Sequence, residues 1–405
     1  MSRILGALTL QAVGVIFNYL FTLLVAMYAG DYVAGKIFWY FNVIIALSML
    51  SLFGGEAWIV TLSREPGANR EAIYRLAFKL SLPLLTCSIV VLLAYLTLVE
   101  REPFISGFVI VLSLFFYLCN ALLASMAEAE GKGRLSVYLR TLSPYVVSAP
   151  VVYYLGESGN VTIELVFFAL CISCFISFVA VLMANEGLIR RVISYSHSSP
   201  RKDKLTNQYK QKQQYFYISF LNYIFVWHPL FVAKPFISFE QLAELNYYMK
   251  ICNLVGLPLL VVGVFYARKL ASTSDLALRW RLYKESCLVA SALGFIPFIV
   301  IVFFTPLFTF FLSENYQGGS WVTILALAQL IYMFFGAQVA MMIVSGQLKQ
   351  ANKVLVFFTM LSPVLIAISS HQLGVWGVSL VILCVAISRQ VANHFLLIRS
   401  KGGTG

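Results

Sequence analysis

The sequence predicts an all-α polytopic membrane protein with about twelve transmembrane helices. Three observations predict this fold class. Only 11% of the 405 residues are charged and 60% are hydrophobic, whereas about a quarter of the residues of a soluble globular protein are charged. The mean hydropathy is +0.85. Apolar runs of about 20 residues recur along the whole chain, and each run is long enough to cross a hydrocarbon core of about 30 Å.

Twelve apolar runs define the predicted spans. In chain order they cover residues 8–29, 38–62, 74–98, 104–127, 137–155, 162–184, 214–236, 244–266, 286–312, 319–346, 353–370 and 373–397. An even number of spans places both ends of the chain on the same side of the membrane.

The distribution of basic residues predicts which side that is. Of the 29 lysine and arginine residues, all but five lie at the N-terminus, in the even-numbered loops, at the C-terminus or on their flanks. Cytoplasmic loops carry an excess of lysine and arginine, so both termini are predicted to be cytoplasmic. The net charge of +12 therefore reflects topology, and it gives no reason to expect a nucleic-acid partner.

The longest loop, residues 185–213, is polar and basic, and it divides the spans into two sets of six. It predicts a cytoplasmic linker between an N-terminal lobe, residues 1–184, and a C-terminal lobe, residues 214–405. We interpret it as a solvated linker, with contact between its charges and anionic membrane lipids as the alternative. The odd-numbered loops are all short, so no extracytoplasmic domain is expected.

Two pairs of segments indicate an internal repeat. The segment "FNYLFTLLVA" (17–26) in span one resembles "LNYIFVWHPLFVA" (221–233) in span seven, and "TLSPYV" (141–146) in span five resembles "MLSPVL" (360–365) in span eleven. An offset of six spans preserves orientation. The sequence therefore predicts two six-helix lobes related by a pseudo-two-fold axis along the membrane normal, an architecture that transporters use.

Polar residues inside the predicted spans indicate where a substrate binds. Asn246, Lys250 and Asn253 recur at i, i+4 and i+7, so they share one helix face. A charge in the bilayer centre costs about 3 kcal/mol on insertion scales, which favours a face directed at protein or water. Together with polar residues in spans one, two, seven and twelve, they predict a central cavity between the lobes. The candidate substrate-binding residues are Lys250, Arg389, Asn18, Asn42, Asn222, Asn246 and Asn253.

Each ionisable candidate has a second interpretation. Lys250 lies about six residues inside its predicted span, so its ammonium group can also reach the interface by snorkelling. Arg389 can pair with another helix instead of lining a cavity. Glu56, the carboxylate inside span two, is the candidate for ion coupling, and the alternatives are pairing with a nearby arginine such as Arg64 or Arg75, or snorkelling.

His228 precedes Pro229 in span seven. We interpret it as a hydrogen-bonded packing residue at a kink, with a ligand or proton-relay role as the alternative.

The first 65 residues carry a family resemblance. The pattern "NYLFTLLVAMYAGDYVAGKIFWYFNVIIALSMLSLFGGEAWIVTLSRE" (18–65) resembles the start of polysaccharide and O-antigen flippases of the Wzx type, in the MOP (multidrug/oligosaccharidyl-lipid/polysaccharide) exporter superfamily. The segments "AEAEGKGR" (127–134) and "SGQLKQANK" (345–353) resemble the basic turns of that family after spans four and ten.

The resemblance implies a V-shaped, MOP/MATE-like transporter that works by alternating access. Its substrate would be an undecaprenyl-diphosphate-linked oligosaccharide, moved across the bacterial inner membrane for surface polysaccharide or O-antigen synthesis. The implied partners are this lipid-linked sugar, membrane lipids and a polysaccharide polymerase complex. No cofactor is implied, and coupling to a Na⁺ or H⁺ gradient is left open.

Two other functions remain in view. A MATE-like, cation-coupled drug exporter also has twelve spans, but such proteins usually place carboxylates deep in their helices, whereas here two basic residues and one carboxylate lie well inside the spans. A polytopic sugar polymerase or ligase typically carries a large periplasmic loop, and the short odd-numbered loops disfavour this alternative. The sequence also lacks the G-x-x-x-x-G-K-[ST] motif of ATP-driven pumps. We therefore predict a transporter and not an enzyme.

Overall fold

The computed structural model describes residues 2–63, 70–184, 221, 223–273, 275–305 and 318–402. In these residues the chain is helical and contains no strand, so the predicted all-α fold class is confirmed. The chain divides into two compact units, Met1–Phe220 and Leu221–Gly405. The predicted linker, residues 185–213, and the candidate Asn222 lie outside the described residues.

The first unit contains eight described helices. They are α1 (Ser2–Tyr28), α2 (Asp31–Leu52), α3 (Gly55–Leu62), α4 (Arg70–Ala94), α5 (Phe104–Ala129), α6 (Gly133–Val137), α7 (Ser148–Glu157) and α8 (Ile163–Ala184). A π-helical turn, Tyr95–Val99, extends α4, and a second one, Tyr138–Leu142, extends α6.

The second unit contains six described helices. They are α9 (Tyr223–Ala233), α10 (Phe239–Ser272), α11 (Leu276–Phe303), α12 (Ser320–Phe334), α13 (Gln338–Val344) and α14 (Leu348–Gly402). Across both units, eight of the described helical segments are long and apolar enough to cross a membrane. Together with the fold likeness reported below, they identify a multi-pass membrane protein.

The structure interrupts predicted spans two, five and ten. Span two is divided between α2 and α3 by Phe53 and Gly54, which adopt φ values of 45° and 69°. Span ten is divided between α12 and α13 around Gly336, which has φ 48°. Hydropathy alone does not reveal such breaks, because the residues on both sides are equally apolar.

The break in span five depends on Pro144, which has no N–H to donate. Side chains supply the missing hydrogen bonds. The Ser173 hydroxyl of α8 donates to the Ser143 carbonyl at 2.5 Å and accepts from the Val147 N–H at 3.2 Å. The Ser148 hydroxyl donates to the Pro144 carbonyl at 2.6 Å. Bonds of this kind allow an irregular backbone to persist at membrane depth when protein surrounds it.

Helix α14 reverses direction at Gly374, which has the non-helical angles φ 56° and ψ −136°. A Cβ atom placed at Gly377 would collide with the Ser369 carbonyl, so the two arms lie against each other directly after the turn. Further along, Leu355 packs in one cluster with Val385. The arms are therefore antiparallel, and they correspond to predicted spans eleven and twelve.

Replacing Gly336 with alanine should lower the stability of the fold by about 2 kcal/mol or more. The positive φ is costly for an L-residue, and the added Cβ atom would lie 2.6 Å from the Cys287 backbone nitrogen, where no flexible side chain can move aside. The measurement is the melting temperature of the purified protein in detergent. Gly263→Ala is the matched control, because no atom lies within 4 Å of a Cβ placed there. Equal melting temperatures for both variants would contradict the prediction.

Candidate functional site

The second unit encloses a cavity of about 450 Å³. Its walls come from α9, α10, α12 and both arms of α14, and most of the lining side chains are aliphatic or aromatic. The polar and charged side chains that line it are His228, Asn253, Gln329, Tyr332, Ser362 and Arg389. Among the described lining residues, none is aspartate or glutamate. A mostly apolar cavity with a few converging polar groups is the usual form of a small-molecule site.

Arg389 is the one guanidinium among the described lining residues. Its central carbon lies 4.3 Å from the centre of the Phe225 ring, in a cation–π contact. The Tyr332 side chain lies within hydrogen-bonding reach of Arg389. The Nε atom is buried and has no hydrogen-bond partner among the described residues. Arg389 also forms no ion pair with a described carboxylate, so its charge is available to a bound anion.

His228 is held in one tautomer by its neighbours. Its Nδ1 atom lies 2.9 Å from the Ile224 carbonyl and 3.0 Å from the Phe225 carbonyl. Because a carbonyl can only accept, Nδ1 must carry the hydrogen. Nε2 of the neutral ring then accepts from the Ser362 hydroxyl at 2.7 Å. This network agrees with our interpretation of His228 as a hydrogen-bonded packing residue, and it leaves the ring without a free donor.

The three polar residues of α10 have different surroundings. Asn253 lines the cavity, one turn before Gly256 and Leu257, which also line it. Asn246 is buried, and its Oδ1 atom has no hydrogen-bond partner among the described residues. Lys250 is half-buried and lies on the flank of the cavity-lining face. Its predicted role in a cavity between the lobes stays a prediction.

In the first unit, Glu56 belongs to a charged cluster with Arg140. One guanidinium nitrogen of Arg140 lies 3.7 Å from the Glu56 carboxylate, and the other lies 3.1 Å from that of Glu128. Arg140 also donates to the Ser125 hydroxyl at 3.1 Å. Arg140 was expected to flank a cytoplasmic loop, and its contact with span two was not predicted. Arg64, one of the two predicted partners, lies outside the described residues.

A second cavity, of about 470 Å³, adjoins this cluster. Gln11, Glu128, Ser136, Arg140 and Thr141 supply its polar lining. The cluster holds two carboxylates and one guanidinium, so it carries one formal negative charge in excess.

The remaining asparagine candidates of the first unit lie on α1 and α2. Asn42 is buried, and its amide nitrogen donates to the Phe38 carbonyl at 2.8 Å. Asn18 is half-buried, and its Oδ1 atom has no hydrogen-bond partner among the described residues. Neither side chain lines the cavity of the first unit.

A buried ion pair connects α2 with the segment that precedes α5. The Lys36 ammonium lies 2.6 Å from the Glu102 carboxylate, and the two side chains are only 12% and 6% exposed. The same carboxylate oxygen accepts from the Tyr40 hydroxyl at 2.7 Å. Close by, the Trp39 indole donates to the Tyr95 hydroxyl at 2.9 Å. This cluster was not predicted from the sequence.

Sequence reasoning missed several lining residues of the second-unit cavity. Gln329 was a detectable signal, because it is an amide inside an apolar run. Ser362 was noticed only as part of the repeated Leu-Ser-Pro segment. Phe225 and Tyr332 gave no signal, since aromatic residues occur throughout the predicted spans.

The sequence matches no protein-family model and no curated protein. Solved structures do match. An inward-facing MATE-family multidrug resistance transporter of the MOP superfamily has a TM-score of 0.68 at 15% identity, with 99% of each chain covered. An outward-facing MATE-family multidrug resistance transporter of the MOP superfamily also has a TM-score of 0.68 at 15% identity, with 98% of this chain and 95% of that chain covered.

A third similar structure is a MOP superfamily transporter from Pyrococcus furiosus. It has a TM-score of 0.59 at 14% identity, with 98% of this chain and 95% of that chain covered. It is described as having a binding pocket of reverse polarity, which suggests a different function for it. The chain therefore has the fold of the MATE transporters over nearly its whole length. At these identities the likeness extends to the fold alone.

Proposed function

We propose that this protein is a flippase that moves an undecaprenyl-diphosphate-linked oligosaccharide across the bacterial inner membrane by alternating access. The fold supports a transport function, because similar chains have been solved in inward-facing and outward-facing conformations. It supports a non-enzymatic role in the same way. The sequence resemblance to polysaccharide flippases supports the choice of substrate.

The observation that carries the proposal is the charge of the second-unit cavity. Arg389 contributes a guanidinium, and none of the described lining residues is acidic. In a medium of low dielectric constant, this charge repels a cationic drug and attracts a diphosphate. The planar fork of a guanidinium also matches phosphate oxygens in a bidentate geometry.

Pocket polarity varies among proteins of this fold. The Pyrococcus furiosus transporter is described as having reverse polarity in its binding pocket and a different function. A change in pocket charge is therefore compatible with the fold. We infer that this chain also departs from the export of cationic drugs.

The second candidate is a MATE-like, cation-coupled drug exporter, and the cluster of Glu56, Arg140 and Glu128 favours it. Carboxylates inside a membrane protein are typical of proton and ion pathways. The same cluster fits the flippase, with coupling to a Na⁺ or H⁺ gradient in the first unit and substrate binding in the second. The distribution of lysine and arginine among the loops favours cytoplasmic termini for either function. A flippase would have a polysaccharide polymerase complex as its expected protein partner.

Reconstitution into proteoliposomes tests the function directly. The probe is an undecaprenyl-diphosphate-linked tetrasaccharide with a fluorescent group that an impermeant reductant can quench. We expect the protein to carry the probe from the inner leaflet to the outer leaflet, so a larger fraction of the fluorescence should be quenched than in protein-free vesicles. Ethidium, a cationic drug, should not be transported. Transport of ethidium without flipping of the lipid-linked probe would overturn the proposal in favour of the drug exporter.

Replacing Lys250 with alanine should lower the flipping rate about 10-fold, since one favourable contact with a diphosphate is worth roughly 1–2 kcal/mol. Lys250→Arg should retain part of the activity because it keeps the charge. The readout is the initial rate at equal protein content. Lys353→Ala removes an exposed lysine of the same unit and serves as the control. If the Lys250→Ala variant flips the probe at the normal rate, Lys250 is an anchor at the membrane interface and not a substrate-binding residue.

Replacing Glu56 with glutamine should remove the effect of an ion gradient on flipping. The carboxylate lies 3.7 Å from Arg140, so neutralising it removes the charge that a coupling cation would share with the arginine. The measurement compares initial rates with and without an imposed Na⁺ or H⁺ gradient. Glu240→Gln, at an exposed position, is the control. A Glu56→Gln variant that still responds to a gradient like the wild type would exclude Glu56 as the coupling site.

A further inference from the structure

The second-unit cavity has an uneven distribution of polar groups. Phe225, Leu257, Ile366, Val381 and Val385 are among the side chains that form apolar walls. The one permanent charge among the described lining residues lies at Arg389. A ligand that fits such a site needs one anionic group and a continuous apolar part.

The polar groups other than Arg389 add little capacity for hydrogen bonding. The Nδ1–H of His228 is committed to backbone carbonyls, and its Nε2 accepts from Ser362. The amides of Asn253 and Gln329 remain on the lining, together with the Tyr332 hydroxyl, which lies within hydrogen-bonding reach of Arg389. A buried hydroxyl without a partner lowers affinity by roughly 10-fold. A sugar carries several hydroxyls, so these few groups do not suffice for an oligosaccharide.

An anionic head group finds a prepared position at Arg389. The guanidinium carbon lies 4.3 Å from the centre of the Phe225 ring, which helps to hold the group in place, and its Nε–H has no partner among the described residues. Little side-chain entropy is then lost when an anion binds, because the fork is already held in place.

We infer that the second unit binds the lipid end of the substrate: a phosphate group on Arg389 and the first prenyl units along the apolar walls. This inference rests on the proposed function, and it assigns the recognition of the carrier, rather than that of the sugar, to this cavity. Burial of an isoprenoid chain against aliphatic walls is favourable in proportion to the area removed from water. One consequence is that carriers with different sugars bind this cavity alike.

Binding of short carrier analogues tests the inference. Purified full-length protein in a mild detergent is titrated with farnesyl diphosphate, pyrophosphate, farnesol, oleate and a free tetrasaccharide, with calorimetry as the readout. We expect saturable binding of farnesyl diphosphate, at least 10-fold weaker binding of pyrophosphate and of farnesol, and none of the tetrasaccharide. Oleate, which stands for an ordinary membrane lipid with an anionic head, should be displaced by farnesyl diphosphate.

Variants locate the binding in the cavity. Arg389→Gln should weaken farnesyl diphosphate binding at least 10-fold. Gly256→Leu should do the same by filling the cavity, because a Cβ atom there meets only the Gln329 side-chain oxygen, at 3.4 Å, and so the fold can accept it. The matched controls are Arg399→Gln, exposed on the same helix as Arg389, and Gly263→Leu, in open surroundings on the same helix as Gly256.

The outcomes separate this inference from the proposed function. If the tetrasaccharide binds and farnesyl diphosphate does not, while the protein still flips the lipid-linked probe, the carrier site is wrong and the function stands. If farnesyl diphosphate binds through Arg389 but no lipid-linked probe is flipped, the carrier site stands and the proposed function fails. Oleate that farnesyl diphosphate cannot displace would identify a structural lipid site and overturn the inference.

Discussion

Flipping of the lipid-linked oligosaccharide should fall about 100-fold when Arg389 is replaced by glutamine. The side chain lies in an apolar cavity with no described carboxylate on its lining, so its charge has no substitute among the described lining residues. Removing one partner of a desolvated charge pair typically costs about 2–5 kcal/mol. A 100-fold loss corresponds to about 2.7 kcal/mol, which lies within this range. The measurement is the initial rate in proteoliposomes at equal protein content.

The same substitution should leave the melting temperature unchanged or raise it. The substitution removes the cation–π contact between Arg389 and Phe225, which is worth about 0.5–2 kcal/mol. It also removes the cost of holding a guanidinium at membrane depth. Loss of transport at constant stability distinguishes a binding residue from a structural one.

Two further variants test whether the effect depends on the charge and on the position of Arg389. Arg389→Lys should restore part of the rate, because an ammonium keeps the charge but cannot stack on Phe225 or form a bidentate contact. Arg399→Gln should flip at the wild-type rate. Normal flipping by Arg389→Gln, or equal losses in both glutamine variants, would remove the basis for an anionic substrate in this cavity.

Replacing Glu102 with glutamine should destabilise the protein by about 3–5 kcal/mol. The Lys36 ammonium loses the carboxylate 2.6 Å away, although its side chain is only 12% exposed. Breaking a buried pair by removing one partner leaves the other charge uncompensated, which is the costly case for ion pairs. The measurement is the melting temperature of the purified protein in detergent.

A double substitution separates charge from packing in this cluster. Lys36→Met combined with Glu102→Gln removes both charges and should recover most of the loss, because uncharged side chains of similar size often replace a buried pair without cost. Glu130→Gln is the control, since the Lys132 side chain of that pair is 45% exposed and exposed pairs contribute only about 0–1 kcal/mol. A double variant as unstable as Glu102→Gln alone would show that the packing of Lys36 matters more than its charge.

The sequence predicted those features of the fold that depend on hydropathy. Apolar runs located the helices, since each run must satisfy its own backbone in lipid. The interruption at Gly336 was not predictable in the same way, because it depends on contact with Cys287 on the distant helix α11. Pro144 is visible in the sequence, but the hydrogen bonds from Ser173 on α8 that stabilise its break are not. Tertiary contacts of this kind leave no periodic signal.

The candidate site shows the same division. Arg389 was predictable because a charge inside an apolar run is rare and needs a reason. Its stacking partner Phe225 was not, since the chain contains 33 phenylalanines and 22 tyrosines, and composition cannot choose among them. Arg140 was misjudged for a third reason. It lies near the start of predicted span five but was counted with the basic flank of the preceding loop, whereas its guanidinium reaches Glu56 in span two.

The reversal of α14 at Gly374 bears on how the chain enters the bilayer during synthesis. Because the arms are antiparallel, the basic residues Lys349 and Lys353 at one end and Arg399 at the other lie on the same side of the membrane. The pair can therefore insert as a single hairpin, and only its tip has to cross. That tip carries Gln372 and His371 but no permanent charge. Insertion as a hairpin therefore requires neither lysine, nor Arg399, to cross the hydrocarbon core, where a charge costs roughly 3 kcal/mol. Gln372→Arg, which adds a charge to the tip, would be expected to hinder insertion of this hairpin.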